Sequence, residues 1–197
     1  MIRDASDLRA RDAYFLMIDT IVPRPIAWVA TRSADGVANL APFSFFTGVT
    51  SAPPTVVVNL APRVVRADDG TRTVLPKDTL ANLRETGVFV LHVAPREHRS
   101  AVIQSARDHA PEVDEIALAG FETVEGTWVT APRIPSLPVA MECRVSQMIE
   151  VGRLPATMVL GEIQGWHIHD ALVDADGRAP SARWGPLGRL GVEGYQD

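Results

Sequence analysis

Between Arg24 and Pro54 the apolar and polar positions change rhythm. Ile26, Trp28 and Ala30 alternate with Ala27, Val29 and Thr31, the period of two that marks a strand. Asp35-Gly36 then supplies a turn, because glycine takes a positive φ at no steric cost. The next stretch, NLAPFSFF (39–46), has no amphipathic period. Amide, hydroxyl and aromatic side chains are interleaved with a proline that lacks a backbone donor. Such a segment holds main-chain groups in a fixed shape that suits a flat polar heterocycle, and it reads equally as an aromatic-rich barrel strand.

The same reading predicts the remaining elements. Residues 1–19 are mixed, with one short helix packed on the outside. Strands are expected near 25–32, 38–47 and 54–61. Residues 62–76 are polar and centred on Asp69-Gly70, a surface excursion or short hairpin. DTLANLRET (78–86) reads as a helix capped by Asp78 or Thr79, striped by Leu80 and Leu83, and ended by Gly87. A β-rich run follows at 88–94, a second helix at 96–109 and a helical turn at 111–118. GFETVEGTWVT (120–130), PVAMECRVSQMIEVG (138–152) and ATMVLGEIQGWHIHD (156–170) read as successive strands, and the last 25 residues as loop. Many short strands with few helices predict an all-β, β-dominated barrel. Neither strand–helix alternation nor a strand–GxGxxG–helix unit is present, so a nicotinamide cofactor would bind without a Rossmann domain.

Composition narrows the class. With 197 residues and 46% hydrophobic content the chain suits one globular domain, a core over about 20–172 and a C-terminal loop at 173–197. The net charge of −5 gives no electrostatic footprint for nucleic acid. No apolar run reaches membrane-spanning length, and the N-terminus has no signal-peptide core. The single cysteine, Cys143, fits a reducing cytoplasm and reads as a small buried hydrophobe. Eighteen arginines stand against one lysine, Lys77, which isolates Lys77 as a candidate.

Lys77, Asp78 and Thr79 fall where a helix begins, and free N–H groups with the helix dipole favour an anion there. A surface lysine beside an ordinary cap is the plain alternative. Thr31, Asn39, Ser44 and Thr47 are small hydrogen-bonding residues that also suit strand ends and turns. Trp28 is better read as core than as a ring-stacking group. His167 and His169 lie two apart on a strand and share a face, but Asp170 points the other way and no third ligand follows, so no metal site is expected.

Four stretches, in order, resemble the flavin reductase-like family of FMN-binding split β-barrels: the 24–54 segment, PKDTLANLRETGVFVLHV (76–93), Met158 to Asp170, and PLGRLGVEGY (186–195). The resemblance implies a Greek-key split barrel with a few peripheral helices and an FMN site at a homodimer interface. It places Lys77 and Thr79 at the cofactor phosphate. It places Thr31 and Asn39 at the ribityl chain or ring, and Ala41, Phe43, Ser44, Phe45 and Phe46 along the flavin, with main-chain groups of 43–46 at its pyrimidine edge. Phe43 stands where the family often has Tyr, which removes a hydroxyl. His167 and Arg189 are implied near the flavin or the incoming nicotinamide, with Val192 replacing a glycine in the Arg189 loop. The implied activity is an NAD(P)H:flavin reductase. Hydride would pass from NADH or NADPH to flavin N5, and reduced flavin could feed a two-component monooxygenase. A flavoredoxin-like electron carrier and a flavin-binding barrel without turnover are the alternatives.

Overall fold

The computed structural model describes residues 2–196. Seven antiparallel strands form its main sheet: β1 (Ala27–Arg32), β2 (Ala38–Phe43), β3 (Phe46–Ser51), β4 (Pro54–Leu60), β5 (Val88–Val93), β6 (Val139–Val151) and β7 (Ala156–Ile168). Their order across the sheet is β2-β1-β5-β6-β7-β4-β3. The two outer strands are consecutive in sequence. Ser44 and Phe45 carry the chain from one to the other, and the Phe45 carbonyl accepts the Asn59 N–H at 2.9 Å. The sheet therefore curls into a barrel split between β2 and β3. The expected β-dominated split barrel is the fold.

β1 explains the curl. Both of its faces are buried, so its alternation separates two cores rather than core from water. Ala27 and Val29 face the barrel interior with Phe43, Val58, Phe89, Leu91, Cys143 and Val159. Trp28 and Ala30 face the opposite core, where Leu40, Val90, Ile134, Ala140 and Leu187 gather. Burial of each large apolar side chain contributes about 1.5–3 kcal/mol. Trp28 is fully buried and its Nε1 donates to Ser105 Oγ at 2.8 Å, so it is core. Cys143 is likewise sealed, and burial pushes its thiol up.

Four helices surround the barrel: α1 (Ala10–Thr20), α2 (Asp78–Thr86), α3 (Arg99–Ser105) and α4 (Glu115–Leu118). Leu80 and Leu83 of α2 plug the barrel interior. Gly87 ends α2 with φ +67°, the left-handed conformation a C-terminal glycine supplies. Gly36 turns the β1–β2 hairpin at φ +88°. The 62–76 segment is a hairpin, Arg63–Arg66 paired with Arg72–Leu75.

Four expectations are corrected. Residues 120–130 are not a long strand; only Val124–Glu125 pairs, with Pro132–Arg133. The N–H groups of Thr127, Trp128 and Val129 go to the Glu142 carboxylate instead of a ladder. The 96–109 helix divides into a 3₁₀ turn, Arg96–His98, and the shorter α3. The N-cap of α2 is Lys77, not Asp78 or Thr79, and no side chain caps it. The C-terminal segment is not simply loop, since Gly188–Leu190 pairs with both Arg24–Pro25 and Gly194–Gln196. That pairing docks it on the N-terminal end of the 24–54 segment.

Candidate functional site

The outer strand β2 and the amino end of α2 face each other across a cleft. Asn39 and Ala41 line it from β2, and Lys77, Asp78 and Thr79 from α2. Arg63, from the hairpin after β4, and Arg107 and His109, from the α3–α4 connection, close the remaining sides. Lys77 Nζ lies 5.6 Å from the centre of the Phe43 ring, a cation–π distance that holds the ammonium over β2. Arg63 Nε is shielded from solvent and has no hydrogen-bond partner. A helix start without a side-chain cap, a lysine and an arginine with a free buried donor form a set that fits a phosphoryl group.

Two side-chain bonds fix this geometry. Asn39 Nδ2 donates to Thr79 Oγ1 at 3.1 Å, and Asn82 Nδ2 donates to Thr31 Oγ1 at 3.0 Å. Both join α2 to the β1–β2 hairpin. Thr31 is fully buried, so its hydroxyl seats the helix and does not line the cleft. Glu115 of α4 lines the cleft and accepts the Leu40 N–H at 2.8 Å. Burial pushes its carboxyl up to about 7.

A second cleft adjoins the first, sharing Pro42 and Ala106. Ser44, Arg24, Arg189 and Tyr195 line it. Phe45 and Phe46 are half-buried; Phe45 lies beneath the Arg24 guanidinium, 5.7 Å away, and Phe46 pairs with Val58. The Phe45 carbonyl is already engaged by Asn59. Thr47 is exposed on β3.

His167 lines neither cleft. Its Nε2 lies 2.6 Å from Glu142 Oε1, and its ring tilts against Trp128 with centres 5.1 Å apart. Glu142, on β6, is fully buried. Burial raises its carboxyl, but the three N–H groups of 127–129 and His167 outweigh that and hold it below the usual value. His169 donates from Nε2 to the Pro135 carbonyl at 3.0 Å, and no cluster of metal-binding side chains exists among the described residues. The structure thus brings Asn39, Ala41, Lys77 and Thr79 together. It sets Ser44 and Arg189 beside them and places His167 elsewhere on the chain.

Residues 19–183 match the flavin reductase like domain. The chain belongs to that family. An uncharacterized protein of Aquifex aeolicus is 33% identical over 182 residues, 92% of this chain and 88% of its own. Among solved structures, nitrilotriacetate monooxygenase component B from Bacillus cereus superposes with a TM-score of 0.89 at 27% identity, covering 100% of this chain and 94% of that one. The 2-nitrobenzoate 2-nitroreductase of Pseudomonas fluorescens gives 0.84 at 28% identity, covering 100% and 91%.

Arg63, Arg107 and Glu115 also line the first cleft, and the sequence did not single them out. Arginine carried no signal in a chain with eighteen of them, and Glu115 sits 75 positions from the Leu40 amide it accepts. Of the cleft's basic residues, only the isolated Lys77 stood out.

Proposed function

We propose that this protein binds FMN along β2, with the phosphate at the amino end of α2, and acts as an NAD(P)H:flavin reductase. The observation that carries the reading is the uncapped start of α2, with Lys77 turned toward the Asn39–Ala41 edge and Arg63 opposite. Lys77, Arg63 and the first N–H groups of α2 hold the phosphate, and Thr79 shapes that end of the cleft. Asn39, Ala41, Phe43, Ser44, Phe45 and Phe46 define the edge along which the ring system lies, and Thr31 supports it from below. Asp78 caps nothing and adds a negative charge, which Lys77, Arg63 and Arg107 offset. Bound there, FMN supplies the redox chemistry by accepting hydride from NADH or NADPH. The chain positions and excludes water, and no acid or base is required of it. Arg189, in the adjoining cleft, is the cation on the approach side. Among this chain's similar structures, a monooxygenase component supports a reading in which reduced flavin passes to a partner oxygenase.

The test is anaerobic spectroscopy of FMN-loaded protein. NADH or NADPH should bleach the flavin's visible band. If both leave it oxidised while dithionite reduces it, the protein carries electrons rather than taking them from nicotinamide. If the protein retains no flavin at all, the reading fails.

A further inference from the structure

Among the described residues Arg24 is the most deeply buried arginine, and it forms no ion pair. It is 4% exposed, Nη2 donates to the Gly191 carbonyl at 2.7 Å, and Nε has no partner. Arg189 stands directly across from it in the pairing of Arg24–Pro25 with Gly188–Leu190. Both arginines line the second cleft. Arg189 Cζ lies 4.6 Å from the centre of the Tyr195 ring and Nη2 reaches the Val192 carbonyl. Arg99 approaches the same ring from outside, 4.8 Å away. Among the described residues none of the three forms an ion pair, and Asp19, which lies against Gly191, forms none with them.

Like charges set side by side and half out of water are costly unless an anion joins them. Carbonyl oxygens satisfy single N–H groups but leave the charge uncompensated. The cleft is about 160 Å³, close to the roughly 150 Å³ that takes one benzene ring. Tyr14, Tyr195, Ile26, Val102 and Val192 make flat or apolar walls, and Ser44 adds one hydroxyl. That is room for one ring, with two planar forks at one end that match a carboxylate. A nucleoside phosphate is too large for it.

We propose that this cleft is a binding site for a small aromatic carboxylate. The ring lies against Tyr14 and Tyr195, and the carboxylate spans Arg24 and Arg189. Because the cleft shares Pro42 and Ala106 with the Lys77 cleft and also holds Ser44, the ligand leaves the phosphate end free and sits at the Ser44 end of the edge along which the flavin ring is proposed to lie, on the side of Arg189. The proposal does not depend on FMN binding.

Calorimetric titration of the full chain tests it, with benzoate, benzamide and inorganic pyrophosphate, each with and without FMN present. Benzoate should bind once per chain and at least about tenfold more tightly than benzamide, the worth of one charge-assisted pair. Arg189→Gln should remove most of that preference while thermal melting stays unchanged. Arg24→Lys, which keeps the charge but loses the fork, should weaken benzoate more than benzamide. Equal binding of benzoate and benzamide, or binding of neither at millimolar concentration, overturns the proposal. So does pyrophosphate binding more tightly than benzoate, which would make this a phosphate site. Benzoate binding by a chain that takes no FMN would leave the proposal standing and the flavin reading refuted.

Discussion

Glu142 is a buried carboxylate with four hydrogen-bonding partners. One carboxylate takes three consecutive N–H groups from 127–129 and meets His167, so a loop and a strand are fixed on one buried anion. Glu142→Gln turns an amide NH₂ toward backbone donors and should cost about 2–3 kcal/mol in urea unfolding at pH 7. The pH dependence follows from its lowered pKa. Its contribution is present above the ordinary value near 4.5 and is lost as pH falls through the lower folded value. The gap between variant and wild type should therefore narrow only in acid; a gap constant to pH 2 would show that the charge is immaterial. None of this was legible in the sequence. ECRV looked like any strand, and the 127–129 donors that define the role lie 13 to 15 residues away in a segment whose alternation imitated a strand. The His-x-His spacing led to no expectation of a metal, but the group that holds His167 could not be read from it.

At the scale of elements, α4 is tied to β2 through the Glu115 carboxylate and the Leu40 amide. Burial raises Glu115 to about 7, so its contribution has the opposite sign to that of Glu142. It is whole below about 4.5 and gone by about pH 7, because the unfolded chain ionises first. His92, buried and pushed down to about 3, titrates against it in the same window, so the comparison must be with the variant. Glu115→Gln should gain stability relative to wild type between pH 4.5 and 7 and hold that gain above 7. A difference independent of pH would place Glu115 with the ordinary carboxylates. The strands and α2 were legible because their periods were local: the alternation of 26–31, the Leu80–Leu83 stripe and the Gly87 stop all appear as written. The cap was not, since Asp78 is a good cap by type, yet Thr79 is engaged by Asn39 and the helix start is left open toward the cleft.

Across the whole molecule, valines are exposed on β3 and on the hairpin that walls the cleft through Arg63. β3 is one of the two outer strands, with Val49 53% exposed, and the hairpin that carries Arg63 exposes Val64, Val65 and Val74. A second copy covering these valines would enclose the Lys77 cleft. Sedimentation at micromolar concentration should report about twice the 21.4 kDa of the chain. A monomer that binds FMN fully would show that one chain completes the site.

The central claim is that the phosphate of FMN rests on Lys77 at the start of α2. Titration of the wild-type protein and of Lys77→Ala with FMN and with riboflavin tests it most directly. The account predicts that the substitution weakens FMN roughly ten- to a hundredfold, the range of a charge-assisted phosphate contact, and leaves riboflavin nearly unchanged. Equal losses for the two ligands, or no loss for either, would contradict it.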